Sequence, residues 1–315
     1  MEKKMTMAGA NLVLLIFSLL FLFFQLLLVV FAAIYGYGFI NDNFYVISLI
    51  SEFLLILLPV LIYCIYHRLN IKETFRFKSP GMMPVILIVL SSVPAYFVAL
   101  FLNNIVAYLL QFIGKLPEQS IPIPSTVSEL FIGILIIAVS PALCEEMLHR
   151  GLMLRAYERR GSYKAVFFTA IFFGLFHFDL TNLVGPIFLG LMIGYFVIRT
   201  NSIFAGMLAH FLNNAIAEVL QYISRNSIPD VKSTAISPQD LVYLGIYGVI
   251  GLLFLSLFII LLKKATVKNE VLLKPPLTSL RKDITSIFSH VPVIIVIALY
   301  FFYAGLLIVT LVFTK

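Results

Sequence analysis

Two kinds of residue are scarce in this 315-residue chain, and each scarcity removes a class of protein. Cysteine occurs only as Cys64 and Cys144, both inside apolar segments, so neither a disulfide framework nor a CxxC metal knuckle is available. A nucleophilic role for Cys144 is disfavoured, because its acidic neighbours suppress the thiolate; a small buried apolar residue is the alternative. Charged residues make up 12% of the chain and apolar residues 61%, against about half apolar in soluble domains. A soluble globular architecture is thereby excluded. An HExxH motif is missing, as are an internal repeat and a low-complexity tract. Neither a myristoylation start nor a C-terminal CaaX box is found, so no lipid anchor is expected.

Long apolar runs are what the chain has instead. They occupy residues 12–34, 45–66, 83–113, 130–148, 165–178, 183–198, 203–223, 241–262 and 291–313. A helix needs about 20 apolar residues to cross a bilayer, so these predict an all-α, polytopic transmembrane helix bundle of about nine crossings. The fifth and sixth runs are short and only Asp179-Leu180-Thr181-Asn182 separates them, which leaves one of them open as a re-entrant segment. The first run follows Met1-Glu2-Lys3-Lys4 and far exceeds the roughly 7 to 15 residues of a cleavable signal core, so a retained anchor is expected.

The net charge of +7 suits a nucleic-acid partner in principle, but the basic residues fall in short segments between spans and report topology instead. A cytoplasmic N-terminus places Lys3, Lys4, Arg68, Lys72, Arg76, Lys78, Arg155, Arg159, Arg160, Lys164, Arg199, Lys263, Lys264, Lys268, Lys274, Arg281 and Lys282 on the inner face. The opposite face receives Lys115, Arg225, Lys232 and Lys315. No nucleic-acid partner is expected; the lipid bilayer is.

Three polar constellations interrupt the apolar pattern. In Cys144-Glu145-Glu146-Met147-Leu148-His149-Arg150, Glu146 and Arg150 stand four apart and can pair, leaving Glu145 roughly 100° away. The alternative is a charge cluster that only terminates the helix. In Phe173-Gly174-Leu175-Phe176-His177, the histidine is either a catalytic group or a satisfied structural one. In His210-Phe211-Leu212-Asn213-Asn214, His210 and Asn214 share a face, which also suits interhelical hydrogen bonding. Among other intramembrane polar residues, Gln25, Glu52 and Glu218 are expected to face the interior.

In their order on successive spans, these constellations match EExxxR, FxxxH and HxxxN. From about Val127 to Ile223 the chain resembles the CPBP family of intramembrane proteases, the group that includes the Rce1-type CaaX prenyl endopeptidases and bacterial Abi-like proteins. The resemblance implies an eight-helix core, here residues 1–264, which leaves the basic stretch 265–290 as a cytoplasmic loop and the ninth run as an additional helix at 291–315. It implies an intramembrane endopeptidase in which Glu145, as general base, and His177 activate a water molecule, His210 and Asn214 donate to the oxyanion, and Glu146 and Arg150 support them. His149 receives no role. The substrate implied is a peptide or membrane-associated polypeptide, and the setting a bacterial plasma membrane with the site open to the cytoplasm. Glu and two His are competent zinc ligands, yet the resemblance points to a metal-independent glutamate site, so no cofactor is expected and zinc is the alternative. The competing class is a non-catalytic immunity factor or scaffold on the same fold; a transporter would need two related halves with broken helices.

Helix rise limits how these motifs can meet. With Tyr163 at the membrane edge, His177 would lie about 21 Å below it, whereas Glu145 lies only about 8 Å below Arg150. Convergence requires the fourth helix to continue past Arg150 with Arg155, Arg159 and Arg160, and the fifth to begin outside the bilayer. Residues 179–186 then form irregular backbone at membrane depth, tolerable beside protein or a wet cavity.

Overall fold

The structure, a computed structural model, describes residues 5–117, 121–225 and 235–314. Lys3, Lys4, Lys232 and Lys315, which the topology reading uses, lie outside the described residues. The main helices are α1 (Met7–Tyr35), α2 (Phe44–Tyr66), α3 (Met82–Leu110), α4 (Val127–Arg160), α5 (Ser162–Leu175), α6 (Val184–Thr200), α7 (Ile203–Ser224), α8 (Pro238–Ala265), α9 (Leu280–Phe288) and α10 (Val291–Phe313). No strand occurs among the described residues. All but α5, α6 and α9 are long and apolar enough to cross a bilayer, so the chain is a multi-pass helical membrane protein. Helices suit that setting because every interior backbone group finds its partner within the segment.

Prolines shape two of the spans. Pro59 and Pro141 bring no N–H to the carbonyls four residues before them, and a π-helical stretch precedes each, at Ser51–Leu57 in α2 and Ile134–Val139 in α4. A further π stretch, Met147–Met153, carries His149 and Arg150. These stretches rotate side chains out of the register that a simple 3.6-residue period gives. Despite them, α4 continues to Arg160 as the depth argument requires, and ends where Gly161 takes φ +117. A Cβ there would meet the Pro276 backbone at 3.0 Å, so glycine is needed on both counts.

At 14 and 17 residues, α5 and α6 reach about 21 and 26 Å, less than the hydrocarbon core of about 30 Å. They form a tight hairpin. Small residues let the backbones approach: a Cβ on Gly190 would lie 2.9 Å from Ala170 Cα. The irregular connection runs over residues 176–183, starting and ending three residues earlier than expected because α5 stops at Leu175 and α6 begins at Val184. Its polar groups are held by protein. Asn103 accepts from Gly185 N at 2.7 Å and donates to Asn182 at 2.8 Å, and Asp179 accepts from Thr181 N and Oγ1.

α2 and α7 pack on α4, and α3 packs against α6, α7 and α8. The largest apolar core joins α1, α2, α4, α5 and α10. Val293, Val296 and Tyr300 of α10 are buried in it, and Asn11 of α1 ties Tyr157 of α4 to His290, accepting from one at 2.6 Å and meeting the other at 3.3 Å.

One end of the bundle is a network of ions. Glu158 pairs with Arg76 and with Arg155, the latter at 3.3 Å. Asp283 of α9 accepts from Arg160 at 2.5 Å, Lys164 at 2.6 Å and Thr278 at 2.6 Å. Burial opposes ionisation of Asp283, and those hydrogen bonds more than offset it, holding the carboxyl down at about 2. Arg199 donates to the Lys263 carbonyl at 2.8 Å, capping the end of α8, and pairs with Glu270 at 3.2 Å. The stretch expected as a basic loop is thus largely folded, with a 3-10 turn at Val267–Leu272 before α9.

Candidate active site

The acidic pair lies mid-way along α4, between its two π-helical stretches. Glu146 is fully buried. Its Oε1 accepts from Arg150 at 2.5 Å and from His210 Nδ1 at 3.0 Å. Arg150 also donates to the Gly190 carbonyl at 3.3 Å, so this arginine reaches α6 as well as its own helix. Paired and hydrogen-bonded in this way, the buried charges are compensated.

Glu145 is placed differently. It is 7% exposed, and like Oε2 of Glu146 its Oε2 has no hydrogen-bond partner, but Arg150 pairs with Glu146 and not with it. His210 Nε2 stands 4.0 Å away, too far for a direct bond. A water molecule bonded to both atoms at about 2.8 Å would span that gap at close to a right angle.

Phe173 organises the surroundings. His149, His177 and His210 meet this one ring edge to face, with centroids at 4.9, 5.2 and 5.6 Å. The Arg150 guanidinium lies 4.4 Å from the same centroid. An aromatic quadrupole favours such contacts with cations and with ring edges. His177, just past the end of α5, donates from Nδ1 to the Phe173 carbonyl at 2.8 Å. That bond fixes the proton on Nδ1 and leaves Nε2 as an acceptor.

Asn214 lies one turn beyond His210 on α7, and its amide donates to the Ile137 carbonyl at 3.0 Å. Pro141 explains why that carbonyl accepts: it is the residue four positions on, and it has no N–H to give. The second Asn214 N–H remains available for another acceptor. Glu145, Glu146, Arg150 and His210 thus meet directly, His177 joins them through Phe173, and Asn214 bonds to α4 itself.

Three participants are not evident from the motifs. Gly206 makes room for the acid: a Cβ there would lie 2.9 Å from Glu146 Oε2 and 2.8 Å from Val197 Cγ2. Its spacing of four before His210 is the signal that would have found it. His149 is completely buried, donates from Nδ1 to the Glu145 carbonyl at 3.0 Å, and leaves Nε2 without a partner. Glu52, on the π stretch of α2, has a buried Oε2 without a partner and lies within electrostatic reach of Glu145.

Glu218 is buried on α7, its Oε2 filling the notch left by Gly133 of α4. Cys144 is buried in the main apolar core. Among the described residues, no three His, Cys, Asp or Glu side chains gather as a metal-ligand set. An apolar groove of about 560 Å³ between α3 and α8 is lined by Phe101, Ile105, Leu241, Val242, Gly245 and Ile246, with no member of the polar cluster.

Residues 127–216 match the family model described as Type II CAAX prenyl endopeptidase Rce1-like. The chain is 25% identical over 154 residues to the Bacillus subtilis (strain 168) protein named "Putative membrane peptidase YdiL". That match covers 48% of this chain and 62% of the relative's length. No solved structure matches the chain. Both likenesses are to membrane peptidases, and the first, over residues 127–216, is to the CAAX type.

Proposed function

We propose that the chain is an intramembrane endopeptidase that hydrolyses a peptide bond with water activated by Glu145. The observation that carries this reading is the contrast inside one helical turn: Glu146 Oε1 is held by both Arg150 and His210, while the adjacent Glu145 has a buried Oε2 with no hydrogen bond to it, 4.0 Å from an imidazole nitrogen. A carboxylate with an unused lone pair in a nearly dry site is a competent base. One bound by an arginine is a support.

In the proposed reaction, Glu145 takes one proton from water, and the oxygen bonds to the scissile carbonyl carbon while the C=O pair moves to oxygen. His177, whose Nδ1 proton is already committed, accepts the second water hydrogen at Nε2 and so orients the nucleophile. His210 and Asn214 stabilise the oxyanion. His210 would present Nε2, the ring nitrogen not taken by Glu146. Each such donor contributes about 3 kcal/mol in a dry site. Collapse of the intermediate breaks the C–N bond, and the proton held by Glu145 passes to the leaving amine. No step is routed through a metal ion.

The charged end of the bundle carries the basic residues assigned to the cytoplasm, which supports a site reached from the inner leaflet of a bacterial plasma membrane, with the N-terminus inside. The substrate is a peptide or membrane-associated polypeptide. The test follows cleavage of candidate peptides in proteoliposomes by the wild type, Glu145→Gln and His177→Ala. Loss of cleavage in both folded variants supports hydrolysis. Undiminished function in Glu145→Gln would assign the fold to binding, as an immunity factor or scaffold.

A further inference from the structure

The proposed reaction uses one of the two adjacent acids on α4 as base and the other as support. It leaves a third carboxylate, Glu52, unused. Glu52 lies in a span that carries no other acid within Phe44–Tyr66, on the π stretch that packs against the part of α4 bearing Glu145. Its Oε2 is sealed from solvent with no hydrogen-bond partner, and so is Oε2 of Glu145. The two act on each other electrostatically, and Glu52 acts on Cys144 as well.

The charges around this pair do not balance with both acids ionised. From α4 the pair faces Cys144, Glu146, His149 and Arg150, and from α7 it faces His210. On its own helix Glu52 has Tyr45, with Glu218 near that hydroxyl, and Tyr63 and Cys64 further along. From α1 no charged side chain is offered, since Met7–Tyr35 contains none. Arg150, the one fixed cation, is already bound to Glu146. Two more anions without a counter-ion would be costly in an apolar interior, and a single proton between them removes that cost.

We propose that Glu52 is a positioning residue of the site, which together with Glu145 holds one proton between two carboxyl groups. This rests on the hydrolytic reading of Glu145. Glu52 carries the proton before reaction, so Glu145 is the member left ionised and its free oxygen is aimed at water rather than folded onto a cation. When Glu145 takes the proton from water, the pair holds two protons, and the leaving amine removes one of them. The pair ends as it began, with atoms and charge balanced.

The experiment has two readouts on protein in lipid nanodiscs. The first needs no turnover: infrared spectra recorded across pH, in H2O and D2O, should contain a protonated-carboxyl band at neutral pH. That band should be lost in Glu52→Gln, perturbed in Glu145→Gln and left in place in Glu218→Gln, the control for the other buried acid. The second is the pH profile of peptide cleavage. Glu52→Gln, a permanent neutral donor, should lose the alkaline limb and restore part of the turnover lost in Glu52→Ala. A structural role for Glu52 would change turnover without moving the limb. A wild-type spectrum with no such band, or a band indifferent to both Glu52→Gln and Glu145→Gln, overturns the proposal. If the wild type cleaves nothing, the hydrolytic reading fails, while the spectra still decide whether the proton is shared.

Discussion

Buried carboxylates cluster at two places among the described residues, and their surroundings differ in a way that separates support from chemistry. At the charged end, Glu158 is met by Arg76, Arg155 and the Ser162 hydroxyl, and both oxygens of Asp283 are engaged by Arg160, Lys164 and Thr278. At mid-bundle, Glu52, Glu145 and Glu146 each retain a buried oxygen with no partner. A buried polar group without a partner is destabilising by about 1–3 kcal/mol, so three of them within reach of one another mark a place where stability is given up. Acids engaged at both oxygens hold helices together; an oxygen left bare in the mid-bundle cluster is where water or substrate atoms have something to bond.

The sharpest way to test that division is the same substitution at both places. Glu145→Gln is expected to lower peptide cleavage by about 10²–10⁴-fold, the usual contribution of a general base, with little change in thermal unfolding. Glu158→Gln should do the reverse, lowering stability by about 3–5 kcal/mol because Arg76 is left as a buried uncompensated charge. Equal effects on both readouts would erase the distinction.

Phe173→Ala comes next. Removing a buried aromatic costs about 3–5 kcal/mol, and here it also unseats three imidazoles and the Arg150 guanidinium. Cleavage should therefore fall by more than in a control such as Phe168→Ala, whose ring packs against Tyr157 and Phe288. Thermal unfolding and cleavage measured on both variants decide it.

A smaller effect is expected at Gly206. The Cβ of Gly206→Ala must displace Glu146 Oε2 or Val197, a strain of about 1–3 kcal/mol. It should disturb the acid more than the packing, so cleavage should drop while the helix content in circular dichroism is kept.

The smallest effect belongs to the charged end and depends on pH. Asp283 is held near 2, below its ordinary 3.8, so its contribution to docking α9 is fully present above about pH 4 and is lost as pH falls through about 2. Hydrogen exchange of residues 265–290 should show protection declining over that interval in the wild type. In Asp283→Asn the dependence should vanish, with protection already low at neutral pH.

Much of this architecture was legible beforehand. The nine apolar runs coincide with nine helices, differing mainly at their ends, because hydropathy is local and the bilayer imposes a length. The apolar run 130–148 is shorter than α4 because Arg150, Arg155 and Arg160 interrupt it; only the requirement that the motifs meet indicates that the helix continues. The π stretches were not legible. Pro59 and Pro141 signal a defect, but which way the backbone relaxes depends on the helices packed against it. The acid and imidazole spacings pointed to the polar cluster, and Glu52 was visible only as an interior acid without an assigned neighbour. By spacing Phe173 is only a flanking aromatic; the role of its ring is set by four side chains, from α4, α7 and the connection after α5.

The order of residues alone determined that the chain lives in a bilayer as helices, where those helices run, and which one carries an adjacent acid pair. These follow from properties that add up along the backbone: apolar length, i to i+4 spacing and the absence of internal N–H at proline. Only the tertiary structure decided which acid is bound by Arg150 and His210, that Gly206 clears space for Glu146, and that Glu52 lies within electrostatic reach of Glu145. Such facts depend on whether one side chain's lone pair meets a donor from a helix tens of residues away, and no local property of the chain encodes that meeting.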